Sequence, residues 1–219
     1  MTAPSPENST IVRAACGLRA RCRPPRTSGV RSEDPDQRTE RVDGVAHAPV
    51  VRPLDPEHAA GAVDAVFAGL SPQSRYLRFH SPVPRLPASV RDRLVDVDGV
   101  RHAAVVAVAC DLGPIGLAEV FGDGQGTADV AVAVVDAWQR RGIGTRLLRS
   151  VAALAEAIGY TELRGSVLPE NTAMRRLARR VLPWARPWYD GETVQFAAPI
   201  GSAAWTVTHE DLLADLLGR

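Results

Sequence analysis

Lysine is absent from this chain: all 26 basic residues among its 219 are arginine, and 25 acids leave a net charge of +1. A near-neutral chain has no global field with which to recruit nucleic acid or an anionic membrane, and its arginines form no single stripe. Together with heavy use of Ala, Val and Gly, the missing lysine reads as coding bias of a GC-rich genome. Cysteine is scarce. Three residues exclude a disulfide-stapled scaffold, and the Cys16–Cys22 spacing has no second pair to complete a zinc site. His47, His58, His80, His102 and His209 are scattered without HxxxH or HExxH spacing, so no metal is expected. Long apolar runs are missing too: the longest, Ala103 to Cys110, stops at Asp111, far short of the roughly 20 residues that span a bilayer. The expectation is a soluble, cytoplasmic protein, monomeric or homodimeric, without a nucleic-acid or membrane partner.

The 45% of hydrophobic residues is enough for a core, since a domain of roughly 170 residues buries about 70% of its unfolded surface. That core is not spread evenly. Residues 1–46 hold six arginines and no acid between Ile11 and Arg31, then an almost wholly polar stretch from Ser32 to Gly44. Neither part has an apolar period with which to offset its ordering entropy, so a disordered tail is expected. A transit peptide, against which the acidic second half weighs, and a start codon further downstream are the alternatives. Residues 47–200 read as one folded domain. Residues 201–219 form an extension whose Thr208–Leu217 segment, with a capping-box pattern and a leucine stripe, predicts a short helix.

Within the domain, Ala48–Leu54 reads as a strand. Asp55-Pro56 then opens a helix to Leu70, with aspartate at the cap, proline at the first helical position and Val63, Val66, Phe67 and Leu70 on one face. Ser71-Pro72 repeats the device for a short second helix, SPQSRYLRF, and a third covers Ala88–Asp96. His102–Cys110 is the continuous apolar run of a strand buried on both faces. Ile115–Phe121 and Thr127–Val135 flank the turn-rich GDGQG and predict an antiparallel pair. Gly142–Ile158 keeps a helical period through Ile143, Leu147, Leu148, Val151, Leu154, Ala155 and Ile158. A strand at Thr161–Leu168, a helix at Glu170–Val181 and a terminal hairpin with Asp190-Gly191 as a two-residue turn complete the reading.

One segment exceeds generic fold information. The strand VAVAV runs through the turn VDAW into Gln139-Arg140-Arg141-Gly142-Ile143-Gly144-Thr145-Arg146 at the start of the long helix. Successive backbone N–H groups at a helix N-terminus converge, glycines admit a ligand to the backbone, and the dipole favours negative charge. With Arg140 and Arg141 beside it, this is a cradle whose natural occupant is a pyrophosphate. It lacks the GxxxxGK[ST] of a P-loop and the GxGxxG of the dinucleotide fingerprint.

Gln139–Gly144 resembles the diphosphate-binding signature [QR]xxGx[GA] of the GNAT superfamily of acyl-CoA-dependent N-acyltransferases. The resemblance covers about residues 48–200. Leu70–Phe79 (LSPQSRYLRF) looks like the LSPESRYLRF opening of bacterial Pat-type protein lysine acetyltransferases, and Leu168–Met174 (LPENTAM) like their LPENxxM segment. The resemblance implies a mixed α/β fold, with a partly splayed sheet of about six or seven strands flanked by about four helices. It implies acetyl-CoA as co-substrate, its pantetheine arm between two parted parallel strands near Val134 and Val135. The segment Gln139, Arg140, Arg141, Gly142, Ile143, Gly144 and Thr145 would hold its pyrophosphate, and Asn171 would meet it from the far side. The implied reaction is direct attack of an amine on the thioester.

An amine with the usual lysine pKa of about 10.4 is protonated at pH 7 and needs a base. Two acids compete. Asp129 sits in Ala-Asp-Val-Ala where Pat-type relatives carry a catalytic glutamate in Ala-Glu-Val-Ala, and is one methylene shorter. Glu119 shares strand parity with Ile115, Leu117 and Phe121 and points toward an otherwise apolar face. Solvated strand positions are the plain alternative for both. Many family members place a tyrosine general acid seven residues after the asparagine, where this chain has Ala178; Tyr76, Tyr189 or water are the remaining candidates. The arginines of Arg175–Arg180 read as a solvated face, with contact to cofactor phosphates as the alternative. The implied acceptor is an amine-bearing protein, through a lysine side chain, or a small molecule. A non-catalytic acyl-CoA-binding module is the reading from another class.

Overall fold

The computed structural model describes residues 48–201; the expected tail and C-terminal helix lie outside the described residues. Seven strands form one sheet: β1 (Val50–Pro53), β2 (His102–Ala109), β3 (Gly113–Gly122), β4 (Thr127–Val134), β5 (Glu162–Val167), β6 (Arg186–Tyr189) and β7 (Val194–Pro199), in spatial order β1-β2-β3-β4-β5-β7-β6. Every neighbouring pair is antiparallel except β4 and β5. Among the described residues five helices accompany the sheet: α1 (Pro56–Ala68), α2 (Pro72–Phe79), α3 (Ala88–Val95), α4 (Ile143–Ala157) and α5 (Thr172–Val181).

The uninterrupted apolar run of β2 has a direct cause. Ala103, Val105, Ala107 and Ala109 pack with Leu147, Leu148 and Val151 of α4. Ala104 and Val106 join Ala59, Val63 and Val66 of α1. With a helix on each face, the stretch Ala103–Ala109 is left to apolar residues.

Two sequence expectations need correction. Ile115 does not share a face with Leu117: Ala107 pairs with Gly116 but Val108 with Pro114, so Ile115 is the extra residue of a bulge. The bulge turns it into the α4-side core while Leu117 and Phe121 stay on the α1 side. The last hairpin also lacks a two-residue turn. Tyr189 lies opposite Val194, and the loop runs from Asp190 to Thr193. The Asp190 carboxylate accepts the amides of Glu192 (3.0 Å) and Thr193 (2.7 Å), so a side chain closes the wider loop.

Candidate active site

β4 and β5 pair only at Thr127↔Glu162, Ala128↔Leu163 and Asp129↔Arg164. Beyond that, β4 stays with β3 as far as Val134 and β5 stays with β7 as far as Val167, so the two parallel strands part. The opening is a cavity of about 980 Å³, walled by Val130–Val134 of β4, Gly165–Val167 of β5, and Asn171, Met174, Arg176, Leu177 and Arg180 on the α5 side. An unpaired strand edge facing a cavity offers backbone N–H and C=O groups to a ligand.

At one end of the cavity lies the start of α4. A short 3₁₀ turn, Asp136–Trp138, follows β4; then Arg140 (φ +57°) and Gly142 (φ +79°) both adopt the left-handed region before the helix begins. No side chain caps α4. The first N–H groups of a helix have no intrahelical partner, and with the dipole they form an anion site. Gly142 makes this turn at no Cβ penalty, whereas Arg140, a residue with a Cβ, is strained there. Gln139, Arg140, Gly142, Gly144 and Thr145 line the cavity.

The other predicted ligand-binding positions fall differently. Val134 lines the cavity, and its carbonyl accepts from Gln139 Nε2 at 3.0 Å. Val135 is turned away: its N–H donates to the Ile115 carbonyl at 2.9 Å. The Arg141 guanidinium lies 4.9 Å from the Trp138 ring, and the Ile143 side chain is buried in the core. Asn171 lines the cavity while its Oδ1 caps α5 by accepting the Met174 amide at 3.0 Å. The RRLARR segment divides by helical spacing: Arg176 and Arg180, four apart, line the cavity, whereas Arg175 donates to the Pro169 carbonyl at 3.0 Å.

A polar knot that sequence reading missed ties α2 to this turn. Asp136 accepts from the Ser71 amide (2.9 Å), the Ser71 hydroxyl (2.8 Å) and the Ser74 hydroxyl (2.9 Å), and Gln139 Nε2 reaches Ser74 Oγ at 3.2 Å. Burial alone would raise the Asp136 pKa; the donors of Ser71 and Ser74 overcome it and hold the carboxyl below its usual value. Ser71 is also the cap of α2. Only the cap was legible from the order Ser-Pro.

At the other end, Asp129 is exposed and lines the cavity beside Phe121, Arg78 and His80. Glu119 does not line it. Glu119 is 3% exposed, with one oxygen 2.9 Å from Arg78 Nη2 and the other 3.5 Å from His102 Nε2. His80 ends α2 in the left-handed region; burial lowers its pKa first, Arg78 lowers it further, and Glu170 partly opposes. Neither tyrosine singled out as a possible acid lines the cavity. Tyr76 donates to Glu170 at 3.0 Å, a bond that raises its pKa, and Tyr189 donates to the Gly191 carbonyl. Ala178 is buried.

The description "Acetyltransferase (GNAT) family" matches residues 71–182, just over half of the chain. The chain belongs to this family. Its parted parallel strands and arginine-flanked helix start lie inside the matched region, and the mixed α/β architecture is the one the resemblance implied. Over 120 residues it is 32% identical to the acetyltransferase Pat of Mycolicibacterium smegmatis, covering 53% of this chain and 36% of that protein. The chain thus spans about a third of that relative's length. An acetyltransferase of Pseudomonas aeruginosa is 26% identical over 156 residues, covering 69% of this chain and 83% of the relative. The crystal structure of the GNAT domain of S. lividans PAT superposes with a TM-score of 0.62 at 26% identity, covering 69% of this chain and 90% of that one. Members of the family use acetyl-CoA and act on amines.

Proposed function

We propose that this chain acetylates a primary amine with acetyl-CoA as donor, the acceptor being a lysine side chain of a protein. One observation carries the reading: a single cavity joins an uncapped helix N-terminus at one end to the exposed carboxylate of Asp129 at the other. The residues present fit the donor. The α4 start, with Arg140 beside it and Arg176 and Arg180 opposite, complements the diphosphate. The open edge of β4 complements an arm bearing amides. Acetyl-CoA, when bound, supplies an acyl group activated as a thioester.

The chain's own residues then have three tasks. The α4 amides and arginines hold negative charge. The apolar wall of Val130, Val132 and Leu177 excludes water from the middle of the cavity. Asp129 takes the proton of the incoming ammonium, directly or through one water, because only the neutral amine attacks. Its short side chain favours the relayed route. Water protonates the leaving thiolate, since the hydroxyls of Tyr76 and Tyr189 are committed elsewhere.

The lysine acceptor is supported by the LSPQSRYLRF and LPENTAM resemblances and by the relatives named Pat. A panel of lysine peptides and small amines, assayed for acetylation with wild type and Asp129→Asn, tests the reading. Acetylation of peptides, with kcat lowered about 10²–10⁴-fold in the variant, is expected for loss of a general base. Turnover confined to small amines would refute the lysine acceptor, and unchanged kcat in Asp129→Asn would refute the base.

A further inference from the structure

Glu119, His102 and Phe121 occupy one face of the sheet. Phe121 is paired with His102 on β2 and with Asp129 on β4, and Glu119 with Ala104 and Ala131. Directly paired residues of antiparallel strands share a face, and diagonal neighbours lie about 7–8 Å apart. Asp129 is therefore the diagonal neighbour of Glu119. Arg78, in the last turn of α2, meets Glu119 at 2.9 Å, and Arg78 and Asp129 both line the cavity. The Arg78 side chain is 18% exposed.

Glu119 meets the Arg78 guanidinium through one nitrogen, Nη2 at 2.9 Å, and a guanidinium carries five N–H donors, so part of its donor set is left for a ligand. His102 Nδ1 lies 2.9 Å from the Asp96 carbonyl, which can only accept, so Nδ1 carries a hydrogen. The other ring nitrogen faces the free oxygen of Glu119 at 3.5 Å, and neither atom has a hydrogen-bond partner. His102 is further held by stacking on Phe121, 4.2 Å between ring centroids. The field of Arg78 reaches the neighbouring cavity residue His80, where it adds to burial in lowering the imidazole pKa.

We propose that Arg78, fixed in place by Glu119 and His102, is an anion-recognition site of the acceptor: the amine this chain acetylates carries a carboxylate close by. Asp129 attracts the amine and Arg78 the carboxylate, both of them lining the one cavity. Guanidinium N–H groups not used by Glu119 donate to the incoming carboxylate. Glu119 and His102 act as positioning residues, holding a flexible side chain in one rotamer. The proposal rests on the reading of Asp129's end as the acceptor end.

Two sources of carboxylate are separable by assay. With the full chain and acetyl-CoA, kcat/KM is measured for matched acceptor pairs: lysine peptides with Glu or Gln beside the lysine, and free amino acids against their amides. The expected result is a preference of about tenfold or more for the carboxylate member in one set, expressed in KM, as a charge-assisted contact of tenfold size would give. A preference in the peptide set places the carboxylate on a residue flanking the lysine. A preference in the amino-acid set places it on the acceptor itself. Arg78→Gln should bring the ratio to about one, and Arg78→Lys should keep part of it. Because Arg78→Gln leaves Glu119 buried without its cation, the double variant Arg78→Gln/Glu119→Gln is measured beside it and should likewise show a ratio near one. Equal kcat/KM within every pair for wild type, or a preference surviving in Arg78→Gln, would overturn the proposal while leaving amine acetylation intact. Failure to acetylate any member would instead sink the acceptor reading on which it rests.

Discussion

Replacing Glu119 with alanine leaves the Arg78 guanidinium facing a void. Its Nη2 loses an oxygen at 2.9 Å, in a place where the carboxylate is only 3% exposed. Breaking a buried pair from one side costs about 3–5 kcal/mol. Whole domains are stable by about 5–15 kcal/mol, so this single change removes a large share. One kcal/mol moves the melting temperature of a chain this size by about 2–4 °C, giving an expected drop of roughly 6–20 °C. Glu119→Gln keeps the shape and a neutral acceptor for Arg78, and should lose less than half as much. Thermal and urea unfolding followed by circular dichroism, with Arg78→Ala and the double variant closing a cycle, measures the coupling directly. Coupling of about 0.5–3 kcal/mol is expected for groups in contact, and it should persist at high salt because buried pairs are poorly screened. A loss below about 1 kcal/mol, the range of exposed pairs, or a loss that salt abolishes, would refute the picture of a buried cluster. Were Glu119 the proton acceptor instead of Asp129, Glu119→Gln would abolish turnover and Asp129→Asn would leave it unchanged.

Gly142→Ala should cost about 1–2 kcal/mol, because a Cβ in the left-handed region is strained even where nothing lies within 4 Å of it. The same variant should show a smaller thermal shift with acetyl-CoA than the wild type, for which 100-fold excess over Kd adds about 2.7 kcal/mol; equal shifts would remove Gly142 from the cradle. Gly122→Ala would put a methyl 1.6 Å from the Tyr160 hydroxyl, forcing the ring out and breaking its 3.0 Å bond to the Val100 carbonyl. A loss of about 1–3 kcal/mol in urea unfolding is expected. Asp136 has a depressed pKa, so its contribution to stability is present above the ordinary carboxylate value of about 3.9 and is lost as pH falls through the lower folded value. The urea midpoints of wild type and Asp136→Asn should therefore differ most above the ordinary carboxylate value and converge as pH falls below it. A difference that stays constant as pH falls would contradict the assignment.

Local signals read well where a residue's role depends on its chain neighbours. Asp55-Pro56 and Ser71-Pro72 marked two helix starts, the apolar run of β2 marked a strand covered on both sides, and Gln139–Gly144 marked the turn into α4. Errors came where one residue changed a count. The bulge at Ile115 reverses strand parity, and parity arithmetic has no way to register an extra residue. At Asp190 a side chain closed a longer loop than the Asp-Gly pair suggests. The arginines of α5 carried a usable hint, since Arg176 and Arg180 are four apart and so share a helix face.

What the sequence determined by itself is the order of elements, because this follows from period, cap and turn chemistry within a few residues, and the family, through motifs that are contiguous in the chain. Tertiary structure alone decided three things. It parted β4 from β5, because each strand follows a different partner beyond Asp129. It knotted Ser71, Ser74 and Gln139 around Asp136 across more than sixty positions of sequence. It also separated two acids that looked equivalent: Asp129 faces the cavity, while Glu119 is buried between Arg78 and His102. The strand pattern offers both acids on one face; which of them meets solvent depends on the helix laid over that face, and α2 covers Glu119 with Arg78.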